Sequence, residues 1–202
     1  MRATAVLFLD RDGTIIHDSP DSITTLDQVR LIERADEALA LAKQAGFKLI
    51  VISNQGGLAK GIVTKTRVDE INAYIQSLLE AKRATLDAIY YAPSHPKYPH
   101  VEYDALKHWR KPQTGMIEQA IHDLALQGFR VDFSCSYVIG DKQIDIECGL
   151  RAGLRTVLVK TGYGEAEKCQ EKHTLPEFIA DDLYDAITSY VLKNQALSAQ
   201  NP

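Results

Sequence analysis

A doubly wound parallel sheet, covered by helices on both faces, is the fold class this chain predicts. Three observations carry that expectation. Short apolar or β-branched runs alternate along the chain with stretches of helical period, the pattern of a parallel α/β domain. The first run, Val6, Leu7, Phe8 and Leu9, is apolar at every position, as in a strand buried on both faces. Polar, chemically active residues stand where such runs end, and open α/β sheets bind their ligands at the carboxyl ends of their strands.

The elements follow in order. A first strand is expected over 4–10, and it runs directly into Asp10, Arg11, Asp12, Gly13 and Thr14. The stretch 15–31 does not fit the alternation. "ADEALALAKQAG" over 35–46 has apolar residues at helical spacing and a glycine stop, so it reads as the first crossover helix. A second strand over 47–53 ends in Ser53, Asn54 and Gln55, and a second helix over 64–82 follows. The third strand, 86–92, leads into a long link, 93–110, that holds Pro93, Pro96, Pro99, Tyr98, Tyr103 and Trp109 and closes on Arg110 and Lys111. Long loops inside a compact domain are usually functional. A helix over 114–126, a strand over 135–140 ending in Gly140, Asp141 and Lys142, and a strand over 154–160 complete the pattern. The segment "EFIADDLYDAITSYVLKN" adds a short edge strand and a helix, and "QALSAQNP" has the composition of a frayed tail. One domain over 1–195 is expected, with a tail over 196–202 and no large cap domain.

Bulk composition narrows the function. With 202 residues, 45% of them hydrophobic, the chain can fill one sizeable core, and a net charge of −4 argues against a general nucleic-acid binder. No apolar run is long enough to span a bilayer, and the N-terminus lacks a secretory signal, so a cytoplasmic location is expected; a monomer is expected as a separate matter. Cys135, Cys148 and Cys169 are widely spaced and form no C-x-x-C pair, which points to reduced thiols rather than a disulfide framework or metal site.

In the expected fold Asp10, Ser53, Asn54, Lys111, Asp141 and Lys142 converge on one small volume at the strand ends. Crowded carboxylates repel, so they call for a cation, and all-oxygen ligation favours magnesium. Magnesium beside a hydroxyl and a lysine suits a phosphoryl group. Taken singly, Ser53 and Lys111 are ordinary polar residues, and a lone D-x-D is often a turn or helix cap. Their order and spacing raise them together. "GGLAKG" lacks Walker spacing and reads as a flexible substrate-side loop, and Arg11, by strand alternation, is expected to point away from Asp10 in a structural role.

These residues resemble the four signatures of haloacid dehalogenase superfamily phosphatases. The signatures are Asp10-x-Asp12-Gly13-Thr14, Ser53, Lys111, and Gly140-Asp141-x-x-x-Asp145. "FLDRDGTI", "SNQGGLAKG", "RKPQTGM" and "GDKQID" are similar more narrowly to heptose-bisphosphate phosphatases and the related histidinol-phosphatases, which use loops in place of a large cap. The resemblance implies that Asp10 attacks phosphorus to give an aspartyl-phosphate and that Asp12 serves as acid, then base. It further implies that the Asp10 carboxylate, the Asp12 backbone carbonyl and Asp141 hold magnesium, that Ser53, Asn54 and Lys111 steady the phosphoryl oxygens, and that Asp145 supports Lys111 or the metal's waters. Gln55 and Asn54, in the second signature, join the substrate-binding set.

Heptose-bisphosphate phosphatases of this type usually carry a structural zinc on the third loop, held by a C-x-H and a C-x-C pair. Here those places read Ala92, Ser94, Lys107 and Trp109, none of them a zinc ligand, so no zinc is expected. The alternative is a rearranged site built from His95, His100 and His108, against solvated loop histidines. Arg110 beside Lys111, with Lys142, supplies more positive charge than one phosphate needs, as a bisphosphate would require. Asp18 and Asp21 match the region where the family binds sugar hydroxyls. A small sugar phosphate is therefore the expected substrate, with histidinol phosphate second. A non-catalytic phosphate-binding protein and a receiver-like phosphoacceptor are the readings from other classes. Both leave Asp12 without a task.

Overall fold

The computed structural model describes residues 1–20 and 22–200. Asp21, expected to bind substrate, lies outside the described residues. Six parallel strands form the main sheet in the spatial order β4-β3-β2-β6-β7-β8, where β2 is Val6–Leu9, β3 Lys48–Asn54, β4 Ala88–Ala92, β6 Tyr137–Gly140, β7 Arg155–Val159 and β8 Phe178–Ala180. The chain works outward from β2 through β3 to β4, then returns to the other side of β2 for β6, β7 and β8. The loops leaving β2 and β6 diverge, and that opens the crevice in which such sheets bind ligands.

Strand β2 sits at the centre because nothing in it needs water. All four side chains are fully buried, each worth about 1.5–3 kcal/mol over an exposed one. Leu7 and Leu9 pack on one face with α1 (Ala35–Gln44), α2 (Lys65–Glu80) and the C-terminal helices. Val6 and Phe8 pack on the other with α3 (Gly115–Leu126) and Cys148 of α4 (Gln143–Arg151). Helix α2 starts where Thr64 Oγ1 accepts from the Arg67 amide at 3.2 Å, a cap worth about 1 kcal/mol.

Two differences from the sequence reading have local causes. The strand expected over 4–10 breaks at Ala5. Its first part, β1 (Arg2–Thr4), pairs instead with β5 (Phe129–Val131) in a separate two-stranded sheet, and the Val6 amide donates to Ser136 Oγ at 3.0 Å. Three-residue strands with no long apolar run leave little pattern to read. At the other end, α6 (Leu183–Asp185), a π-helical turn over Ala186–Val191 and α7 (Leu192–Gln200) make one continuous helical stretch. The frayed tail expected over 196–202 is therefore helical as far as Gln200, and Gln195 Nε2 donates to the Ala45 carbonyl at 3.0 Å, tying it to the end of α1. Residues 201 and 202 lie outside the described residues. The short helix Ala166–Glu171, α5, follows β7.

Candidate active site

The site grows from the way the chain leaves β2. The Asp10 amide still donates to Ile139 of β6 at 2.9 Å, so Asp10 is anchored in the sheet. Beyond it the Arg11 carbonyl accepts from Ile15 at 2.9 Å and Ile16 at 3.1 Å, and the backbone curls back through Gly13 at φ +87°. A Cβ on Gly13 would lie 2.6 Å from Asp141 Cγ, so both the left-handed backbone and the close approach require glycine.

Around that turn the strand ends place one buried ionic cluster. Lys111 Nζ lies 2.8 Å from Asp10 Oδ1 and 2.6 Å from Asp145 Oδ1, and all three residues are 5% exposed or less. Burial alone would pull the Lys111 ammonium down, but the Asp10 and Asp145 charges outweigh it and hold the pKa well above its ordinary value. Asp141, fully buried, is pushed up to about 8 by burial and by the Asp10 and Asp145 charges. Burial and Asp10 likewise raise Asp145 to about 6, against the pull of Lys111. Lys111 and Lys142, the latter shared with Asp18, do not balance the three carboxylates here.

A cation fits that imbalance. Carboxylate oxygens of Asp10, Asp141 and Asp145 lie within 4.8 Å of one another, and among the described residues this is the one such cluster of potential metal ligands. Asp141 Oδ2 accepts from the Tyr163 amide at 2.8 Å, which leaves Oδ1 buried and without a partner. An orphaned carboxylate oxygen beside further carboxylates is a hard-oxygen donor set suited to magnesium.

The other expected residues gather around the cluster. Ser53 Oγ and Asp12 Oδ2 share Gln55 Nε2 as donor, at 2.8 and 2.7 Å. Asn54 Oδ1 accepts from the Lys111 amide at 2.9 Å while Asn54 Nδ2 donates to the Lys111 carbonyl at 3.1 Å. Both ends of the Asn54 side chain engage that backbone, so Asn54 acts on the site through Lys111 rather than by a free amide of its own. Asp18 Oδ2 lies 2.9 Å from Lys142 Nζ, and the charges of Asp10, Asp141 and Asp18 hold Lys142 above its ordinary value against the effect of burial. Arg110 Nη1 donates to the Ser94 carbonyl at 2.9 Å.

Two hollows that share lining residues result. One, of about 250 Å³, lies over Asp10, Ser53, Lys111 and Asp145. The second, of about 180 Å³, shares Asp12, Asn54, Arg110 and Lys142 with it and adds Asp18, Ser19, Lys60, His95 and Tyr163. A phosphoryl group suits the first, and a polyol carrying further negative charge suits the second.

Three features escaped the sequence reading. The loop after β7 closes over the opening motif: Thr161 Oγ1 donates to the Gly13 carbonyl at 2.7 Å, and Gly162 leaves room for Asp141. The signal was "TGYG" directly behind an apolar strand. Arg11, expected to point away from Asp10 in a structural role, turns its guanidinium onto Asp12, because the chain has already left extended geometry there. The third is the set of ring pairings in the 93–110 segment, where the sequence pointed only to proline and aromatic packing by Pro93, Pro96, Pro99 and Trp109. Trp109 meets Tyr90 edge-on at 6.0 Å, His100 stacks on Tyr103 at 4.1 Å and His95 meets Tyr98 at 5.0 Å. His95 and His100 thus lie against aromatic neighbours, and with His108 they form no potential metal cluster among the described residues.

Comparison with known proteins agrees with this geometry. Residues 108–186 match the HAD-hydrolase-like family model. Over 192 residues the chain is 50% identical to the D-glycero-D-manno-heptose-1,7-bisphosphate 7-phosphatase of Chlorobaculum tepidum, spanning 95% of this chain and 96% of that one. It is 33% identical to the D-glycero-beta-D-manno-heptose-1,7-bisphosphate 7-phosphatase of Escherichia coli K12, spanning 80% and 82%. Among solved structures, D,D-heptose 1,7-bisphosphate phosphatase from B. bronchiseptica, complexed with magnesium and phosphate, superimposes with a TM-score of 0.77 at 25% identity, over 97% of this chain and 99% of that one. With its strand-end carboxylates, its buried lysine and near full-length similarity to these enzymes, the chain belongs to the heptose-1,7-bisphosphate 7-phosphatase family of haloacid dehalogenase-like hydrolases.

Proposed function

We propose that this phosphatase removes one phosphate from D-glycero-D-manno-heptose 1,7-bisphosphate, at the 7-position, through an aspartyl-phosphate on Asp10. The observation that carries the reading is the pairing of the two hollows: one holds nucleophile, lysine and metal-binding carboxylates, and the adjoining one is lined by Lys60, Arg110 and Lys142. A substrate with a second phosphate uses that positive charge. Histidinol phosphate, the second choice, brings a cationic amine to the same wall.

Magnesium, held by Asp10 and Asp141 with the Asp12 carbonyl, supplies charge neutralisation at the phosphoryl oxygens when bound. Asp10 attacks phosphorus, and its Oδ1 is already oriented by Lys111 Nζ. Asp12 gives a proton to the departing sugar alkoxide and later takes one from the water that releases the enzyme. Ser53 and Lys111 meet the equatorial phosphoryl oxygens, Asp145 steadies Lys111, and Asn54 fixes the backbone that carries it. Gln55 ties Asp12 to Ser53, while Arg110, Lys142 and Asp18 face the remainder of the substrate. The three cysteines are free, consistent with a reducing cytoplasm, and no helix among the described residues is long and apolar enough to cross a membrane. The working unit in this reading is a single chain acting on a small molecule.

Phosphate release from heptose 1,7-bisphosphate and from histidinol phosphate, compared with magnesium present, tests the assignment. A kcat/KM at least tenfold higher for the bisphosphate is expected. The reverse order would assign the enzyme to histidinol phosphate.

A further inference from the structure

Arg11 is 2% exposed, and a guanidinium taken from water costs several kcal/mol unless its donors are met. Its fork closes on Asp12: Nε lies 3.2 Å and Nη2 3.0 Å from each carboxylate oxygen. The remaining arm, Nη1, donates to Asn72 Oδ1 at 2.9 Å. Neighbours along a strand normally face opposite ways, so this pair meets only because the backbone curls after Asp10.

Asn72 is the odd member of its helix face. The buried stripe of α2 is otherwise Val68, Ile71, Ile75 and Leu79, and an apolar side chain would serve that core better than an amide that is 7% exposed. Opposite the arginine, Gln55 Nε2 reaches Asp12 Oδ2 at 2.7 Å. The Asp12 carboxylate is thus caught between a fork braced from α2 and an amide at the end of β3. A planar guanidinium fixes the plane of a carboxylate in a way that a lysine cannot.

We propose that Arg11, braced by Asn72, is a positioning residue that holds the Asp12 carboxylate in the pose from which it exchanges protons with the leaving group. The proposal rests on Asp12 being the acid and base of the reaction. Proton transfer needs hydrogen-bond reach, so a carboxylate that wanders by about 1 Å can lose on the order of 100-fold in rate. An ion pair serving the fold alone would lower stability and treat every substrate alike.

First-turnover rates and steady-state KM for a sugar phosphate and for p-nitrophenyl phosphate, measured on the wild type, Asn72→Leu, Arg11→Lys, Asn72→Asp and Asp12→Ala, test this. Nitrophenolate departs without a proton, so only the sugar phosphate feels a displaced acid. Asn72→Leu and Arg11→Lys are expected to slow the sugar phosphate about 10- to 100-fold with little change in KM, and to leave the first release of nitrophenol near the wild-type rate. Asn72→Asp keeps an acceptor for Arg11 and should restore the wild-type ratio of the two substrates. Asn72→Leu fills an apolar stripe with an apolar residue, so it keeps the test open if Arg11→Lys does not fold. Equal slowing of both substrates, or no slowing of either, overturns the proposal. If Asp12→Ala separates the substrates and the clamp variants do not, the clamp alone is wrong. If Asp12→Ala fails to separate them, the reading of Asp12 and the clamp fall together.

Discussion

At the scale of single residues the site is a problem in charge. Asp10, Asp141 and Asp145 face the Lys111 ammonium and, at Asp10 and Asp141, the charge of Lys142 that Asp18 shares, and the remaining repulsion is what a divalent cation relieves. Asp141→Ala removes the oxygen that has no other partner. It should therefore weaken magnesium binding and lower kcat together, as read by titrating activity against the metal; unchanged metal dependence would remove Asp141 from the ligand set. Arg110 and Lys111 are neighbours with different surroundings. Lys111 is tied to Asp10, and Arg110 lines both hollows and reaches Ser94. Arg110→Ala should chiefly raise KM and Lys111→Ala chiefly lower kcat; matching losses in kcat would merge their roles. Much of this was legible in the sequence, because Asp10, Ser53, Lys111 and Asp141 each close a strand or link and the fold rule brings strand ends together. The Arg11 fork was not legible. Alternation holds for extended backbone only, and the turn through Gly13 begins one residue too early for it.

At the scale of elements, Asp87 joins three of them. Just before β4, it lies 2.8 Å from Lys43 of α1 and 2.9 Å from Lys48 of β3, and it accepts from the Leu49 amide at 2.8 Å. Burial pushes its pKa up, but the Lys43, Leu49 and Lys48 contacts together hold it below the ordinary carboxylate value. A lowered folded-state pKa means stability that is complete above the unfolded value, about 3.9, and lost as pH falls through the folded one. Asp87→Asn should thus cost about 1–2 kcal/mol near neutral pH, allowing for partial exposure, with the deficit shrinking below about pH 4. Urea unfolding of both proteins at a series of falling pH values measures it, and a deficit that does not shrink at all as pH drops below the unfolded carboxylate value would contradict the charge account. The main strands and α1, α2 and α3 were legible within a few residues. The β1 and β5 pair was not, since three-residue strands carry too little periodicity to register.

At the scale of the molecule, the third loop is packed around aromatic side chains. Tyr90, Tyr91, Tyr103, Leu106 and Trp109 enclose an apolar hollow of about 280 Å³, and Arg110 pins the start of the loop at Ser94. The missing ligands at Ala92, Ser94, Lys107 and Trp109 were plain in the sequence, but the replacement was only half legible: prolines and aromatics can be counted, while ring pairings depend on the fold. Purified protein should contain no stoichiometric zinc by elemental analysis, and a zinc chelator should leave its Tm unchanged. Trp109→Ala should lower that Tm, by the loss of about 3–5 kcal/mol typical of emptying a packed indole, and less to the extent that the half-buried ring is already wet. One zinc per chain would show the loop to be metal-held after all.

The central claim is that the opening strand delivers a nucleophile and, two residues on, its acid and base. Asp12→Ala, mixed with p-nitrophenyl phosphate and magnesium and quenched in acid within the first turnovers, tests it most directly by mass spectrometry of the peptide that contains Asp10. The leaving group departs unaided while release from the enzyme stalls for want of a base. A burst of nitrophenol, with a phosphoryl group accumulated on Asp10, is the result expected. Linear release of nitrophenol with the Asp10 peptide unmodified would contradict it.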